Sequence, residues 1–117
     1  MKTILVIEDE SSIAEMLEVL LELEGYRVAV ARNGQEGLDY LATSRPDLVL
    51  CDLMMPFVDG REVVRAMRAN RSTQDVPLIL MSAGVERVDG MDGLITAFLR
   101  KPFIISEALK LIHSILD

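Results

Sequence analysis

Asp47-Leu48-Val49-Leu50-Cys51-Asp52-Leu53-Met54-Met55-Pro56 decides the fold. Four apolar residues in a row, Leu48 to Cys51, stand between two aspartates. The run is too short for a helix and does not alternate with polar residues. It therefore reads as a strand buried on both faces, as in a parallel sheet. Pro56 and Gly60 punctuate the loop that follows.

Outward from this strand, the same alternation of element types repeats. Thr3 to Ile7 is a short run rich in Ile and Val and predicts a first buried strand. Ser11 or Ser12 is placed to cap a helix carrying Ile13, Met16, Leu17, Leu20 and Leu23 at helical spacing, with Gly25 as its stop. Tyr26 to Ala31 reads as a second strand, and Asn33-Gly34 as a turn or cap. Leu38, Leu41 and Ala42 then form a helical stripe that ends before Pro46. Val63, Val64 and Met67 give the next helix a short apolar face. Pro77 opens a strand over Leu78 to Met81, ending at Ser82. Leu94 to Leu99 predicts a fifth strand, and the last helix runs from about Ile104 to Leu116. The glycine-rich stretch from Gly84 to Gly93 weakens any helix between them. Five βα units imply an α/β protein: a single doubly wound sheet of five parallel strands with helices on both faces. The expected strand order is flavodoxin-like, 2-1-3-4-5.

The totals agree with one domain over residues 1–117, within which no output domain is visible. Half the residues are apolar, only 4% are aromatic and Trp is absent, so the core must be aliphatic. The net charge of −7 disfavours contacts with a phosphate backbone, and direct nucleic-acid binding is not expected. No stretch resembles a membrane span or a signal-peptide core, so no membrane partner and a cytoplasmic location are expected. Cys51 is the lone cysteine and reads as a small buried strand residue pointing away from the face of Asp52. His113, the lone histidine, reads as a surface residue of the last helix.

The polar residues that interrupt this pattern sit at strand ends. Glu8, Asp9 and Glu10 follow strand one, Asp52 follows strand three, Ser82 strand four and Lys101 strand five. In an open parallel sheet these ends share one edge, and ligands bind where the strand order reverses, here between strands one and three. Carboxylates converging there repel each other unless something neutralises them. Mg²⁺ takes oxygen ligands, commonly one or two carboxylates together with a phosphate. A carboxylate, a metal, a cation and a hydroxyl suit phosphoryl transfer, and a carboxylate can itself be the nucleophile.

Four motifs, in order, carry a resemblance to the receiver domains of response regulators, and it covers essentially the whole chain. They are Ile4-Leu5-Val6-Ile7-Glu8-Asp9-Glu10; the Asp47 to Pro56 stretch with Asp59-Gly60; Leu78-Ile79-Leu80-Met81-Ser82-Ala83; and Phe98-Leu99-Arg100-Lys101-Pro102-Phe103. The resemblance implies that Asp52 is the phosphoacceptor. It implies Mg²⁺, for which Mn²⁺ can substitute, held by Asp9, Asp52, the Met54 backbone carbonyl, and Glu8 directly or through water. Ser82 and Lys101 would hold the phosphoryl oxygens, and Phe98 would be an aromatic switch that turns inward as Ser82 moves. Lys101-Pro102 is a candidate cis peptide. A sensor histidine kinase or histidine phosphotransfer protein would supply the phosphoryl group, and a downstream protein would read the result. Such a domain is not a conventional enzyme, although self-phosphorylation and self-dephosphorylation are expected of it. The spacing from Ser82 to Lys101 is a few residues shorter than in the family, which bears on how the signal is read out. The alternative is a receiver-like interaction module that does not use phosphorylation. A flavodoxin-like cofactor binder is disfavoured because the acids of Glu8 to Glu10 would repel a phosphate.

Overall fold

The computed structural model describes residues 1–83, 91 and 93–117. The elements run β1 (Thr3–Ile7), α1 (Ser11–Leu23), β2 (Arg27–Ala31), α2 (Gly34–Thr43), β3 (Leu48–Asp52), α3 (Gly60–Ala69), β4 (Leu78–Ser82), β5 (Ala97–Arg100) and α4 (Ile105–Leu116). All five strands pair in parallel in the order β2-β1-β3-β4-β5. The expected doubly wound sheet is the observed one.

The continuous apolar runs are explained by burial on both faces. Every residue of β3 and β4 is buried. Alternate residues divide between two cores, as the pleat requires. Val49, Cys51 and Leu53 join Leu5, Ile7, Val63, Val64 and Met67 on one face. Leu48 and Leu50 join Ile4, Val6, Leu17, Leu21 and Ile112 on the other. Cys51 thus lies in the first core, as its position in the strand predicts.

Local signals set several of the boundaries. The Asn33 side chain caps α2 by accepting from the Glu36 N–H at 2.8 Å, and Asp59 caps α3 by accepting from the Glu62 N–H at 3.2 Å. Gly25, with φ of +94°, follows the end of α1 in a conformation that glycine adopts freely.

Two expectations are corrected. The residue capping α1 is Glu10, with no side-chain cap bond, rather than Ser11 or Ser12. Both serines lie inside the helix, and the Ser11 hydroxyl instead accepts from the Arg32 guanidinium at 2.8 Å. The fifth strand is shorter than Leu94 to Leu99. Leu94 belongs to a turn in which its N–H donates to the Met91 carbonyl at 2.8 Å, while its side chain and that of Ile95 pack on the core. Pairing with β4 is prepared at Thr96, whose N–H donates to the Leu78 carbonyl and whose hydroxyl accepts from the Leu78 N–H. The expectation for Gly84 to Gly93 falls largely on residues 84–90 and 92, outside the described residues.

Candidate functional site

Register delivers the polar residues to one place. Ile7 is opposite Cys51, so Glu8 and Asp52 leave neighbouring strands at the same level. Asp52 is opposite Met81, which places Ser82 one step beyond it, and Ser82 is opposite Arg100, which precedes Lys101. The Lys101 N–H donates to the Ser82 carbonyl at 2.8 Å, tying the ends of β4 and β5 together. A backbone geometry common to any parallel sheet therefore assembles the residues expected from sequence.

The environments differ sharply. Glu8 is fully buried, Asp52 is 6% exposed, Ser82 is buried and Asp9 is exposed. The Lys101 ammonium lies 2.5 Å from Glu8 Oε1 and 3.4 Å from Asp52 Oδ1. The other Glu8 oxygen accepts from the Glu10 N–H at 3.1 Å. Burial pushes the Asp52 carboxyl up to about 7, with the nearby charge of Glu8 adding to the effect and Lys101 opposing it. Burial works against the charge on Lys101, but its hydrogen bond to Glu8 and the charge of Asp52 outweigh it, so the ammonium is held more firmly than usual.

One carboxylate oxygen from each of Glu8, Asp9 and Asp52 lies within 4.8 Å of the others. When all three carboxylates are ionised, they exceed the one ammonium by two negative charges. That excess, and a donor set made only of oxygens, fit a hard divalent cation such as Mg²⁺. Met54, in the loop between β3 and α3, is more than half exposed.

Gly60 supports the site from below, a role the sequence did not reveal. A Cβ there would come within 2.7 Å of the Asp52 carbonyl oxygen and 2.8 Å of Leu53 Cα. The first turn of α3 thus packs directly on the backbone carrying Asp52, and the Gly60 N–H donates to the Leu53 carbonyl at 2.8 Å. The Lys101-Pro102 peptide is cis, as expected. Phe98 lies on β5 opposite Leu80 and is 37% exposed. Cys51 is buried; that burial first, and the charge of Asp52 second, push its thiol well above the ordinary range.

An open parallel sheet with an acidic crevice at its switch point, and a lysine reaching in from the end of β5, is an arrangement suited to a divalent cation and a phosphoryl group. Residues 4–113 match the family model described as the response regulator receiver domain, and the chain belongs to that family. It is 39% identical to the response regulator MprA of Mycolicibacterium vanbaalenii over 97% of the chain and 49% of that protein. The chain therefore spans about half the length of the curated relatives it matches. Among solved structures it resembles the response regulator TrrA of Thermotoga maritima in complex with Mg²⁺-BeF, with a TM-score of 0.90, 33% identity, and coverage of 99% of this chain and 100% of that one. It also resembles the receiver domain of a signal transduction histidine kinase from Syntrophus aciditrophicus, with a TM-score of 0.89 and 29% identity over 99% and 90% of the two chains.

Proposed function

We propose that Asp52 accepts a phosphoryl group from a phosphohistidine on a sensor histidine kinase or a histidine phosphotransfer protein. The observation that carries this reading is the convergence of Asp52 with Glu8, Asp9 and Lys101. An Asp52 carboxylate oxygen attacks phosphorus, the P–N bond breaks, and the imidazole leaves with the bonding pair. The product is an acyl phosphate, which water later hydrolyses to the free carboxylate and inorganic phosphate. Lys101 sits between Glu8 and Asp52 and is placed to pair with the incoming phosphoryl oxygens. The Ser82 hydroxyl, at the end of the adjacent strand, supplies a second contact.

Mg²⁺, or Mn²⁺ in its place, would be held by Asp9, Asp52 and the Met54 carbonyl, with Glu8 contributing directly or through water. When bound it offsets the charge that accumulates on the transferring oxygens. Phe98 and Ser82 act as the switch pair, and a downstream protein reads the surface they alter. No helix among the described residues is long and apolar enough to cross a membrane.

Incubation with Mg²⁺ and acetyl phosphate, followed by intact mass, tests the reading. One added phosphoryl group is expected, and it is absent in Asp52→Asn and in a chelator-treated sample. Labelling that persists in Asp52→Asn would reject the assignment.

A further inference from the structure

A second cluster of titratable groups lies on the outside of the α1/α4 layer, away from the acidic crevice. His113, in the last turns of α4, has a partner at each ring nitrogen. Its Nε2 lies 2.9 Å from Glu24 Oε1, at the C-cap of α1. Its Nδ1 lies 2.6 Å from Asp117 Oδ2 and 2.8 Å from the Tyr26 hydroxyl. Tyr26 is buried just before β2, and its ring is 5.7 Å from the imidazole, tilted by 39°.

Donor counting makes this arrangement sensitive to protonation. An ionised carboxylate can only accept, so a hydrogen bond at each nitrogen requires a proton on each, and only the imidazolium has both. Loss of one proton leaves a lone pair facing a carboxylate. Tyr26 decides which nitrogen gives up its proton. Its hydroxyl can turn and donate to Nδ1, so the neutral ring keeps Nε2–H on Glu24 and presents its lone pair to Tyr26. Asp117 is then faced by that lone pair and loses both of its donors: Nδ1–H, and the Tyr26 hydroxyl that otherwise reaches its Oδ2 at 3.4 Å.

We propose that His113 is a pH-operated latch that fastens the last turn of α4 to the end of α1 when doubly protonated, and releases Asp117 when neutral.

The charged groups around the ring are Glu24 from α1 and Asp117 at the end of its own helix, with Tyr26 as the third titratable neighbour. Lys2, before β1, stands one step further out. Its ammonium donates to the Leu116 carbonyl, and its charge helps to hold Asp117 ionised. The hydrogen bonds to Glu24 and Asp117 raise the His113 pKa above 6.5, and the bond from His113 lowers that of Asp117. The latch therefore closes below the raised His113 value and opens as pH rises through it, while Asp117 stays ionised throughout. Both partners face solvent, so salt weakens the latch.

The test is an NMR titration of the imidazole nitrogens from pH 5 to 9, with helical ¹³Cα shifts of residues 114–116 followed alongside. The expected result is a His113 midpoint above 6.5, with loss of helical shift at residues 114–116, the end of α4, on the same midpoint. Glu24→Gln and Asp117→Asn should each move the midpoint down. His113→Gln should leave the last turn insensitive to pH. A midpoint at or below 6.5 in the parent chain would overturn the proposal. So would a last turn that does not change across the titration, or a midpoint that Asp117→Asn leaves in place.

Discussion

Lys101 is bound more closely to Glu8 than to Asp52: its ammonium is 2.5 Å from the first and 3.4 Å from the second. Glu8 is the fully buried partner. The lysine thus serves two ends, neutralising an acid that water cannot reach and standing beside the nucleophile. Removing one partner of a buried pair costs more than the pair contributes, because the remaining charge is left without compensation. Lys101→Ala should therefore lower stability by about 3 kcal/mol and also weaken labelling by acetyl phosphate. Urea denaturation and intact mass read the two effects separately. A variant as stable as the parent would show that Glu8 does not depend on this lysine.

Asp52 predicts a dependence on pH in the metal-free protein. Its carboxyl titrates near 7 when folded, against an ordinary value of 3.8. Between those values the folded chain holds a proton that the unfolded chain has released. This group's contribution is complete below about 3.8 and is lost as pH rises through 7. After a discount for solvent screening, the loss amounts to about 2 kcal/mol. The thermal midpoint in chelator should fall between pH 5.5 and 8, and Asp52→Asn should flatten that fall and melt higher at pH 8. Added Mg²⁺ should restore the parent at pH 8, since it occupies the carboxylates and binds only the folded chain. Equal slopes for parent and variant would place the destabilising charge elsewhere.

Gly60 carries a prediction about packing. A methyl group there meets the Asp52 carbonyl and Leu53 Cα at 2.7 and 2.8 Å, and both are backbone atoms that cannot swing aside. Gly60→Ala should cost about 2 kcal/mol through overpacking and should also slow labelling at Asp52, because relief requires moving the strand end that holds the nucleophile. An unchanged labelling rate in a destabilised variant would show that the strain relaxes into α3 instead.

The sequence was readable wherever burial on both faces and shared strand ends did the work. Leu48 to Cys51 and Ile4 to Ile7 could be little other than central parallel strands, and that topology alone brings Glu8, Asp52, Ser82 and Lys101 to one edge. Leu94 and Ile95 misled, because an apolar pair packed on a core from a turn looks the same in sequence as the start of a strand. Ser11 misled in the same way, since its hydroxyl serves Arg32 rather than the helix end. The Glu8–Lys101 pair joins residues 93 positions apart, and no local pattern could reveal that the buried member would be Glu8 rather than Asp9.

Arg68 shows how much can remain hidden, since nothing in its neighbourhood sets it apart from the other arginines of α3. Its Nε donates to the Leu94 carbonyl at 2.8 Å, and its Nη1 donates to the carbonyls of Val76 at 2.7 Å and Gln74 at 3.0 Å, with Thr73 at 3.3 Å. One guanidinium thus joins the end of α3, the loop before β4 and the chain approaching β5. Partial burial disfavours its charge and lowers its pKa, but the carbonyls supply the acceptors it needs. Arg68→Met keeps most of the apolar stem and removes every donor, leaving partly buried carbonyls without partners. It should cost about 2 kcal/mol by urea denaturation. Arg68→Lys should recover less than half of the loss, because one ammonium cannot span the carbonyls on both sides as the planar fork does. Full recovery by lysine would mean that charge alone, rather than the geometry of the fork, holds these segments together.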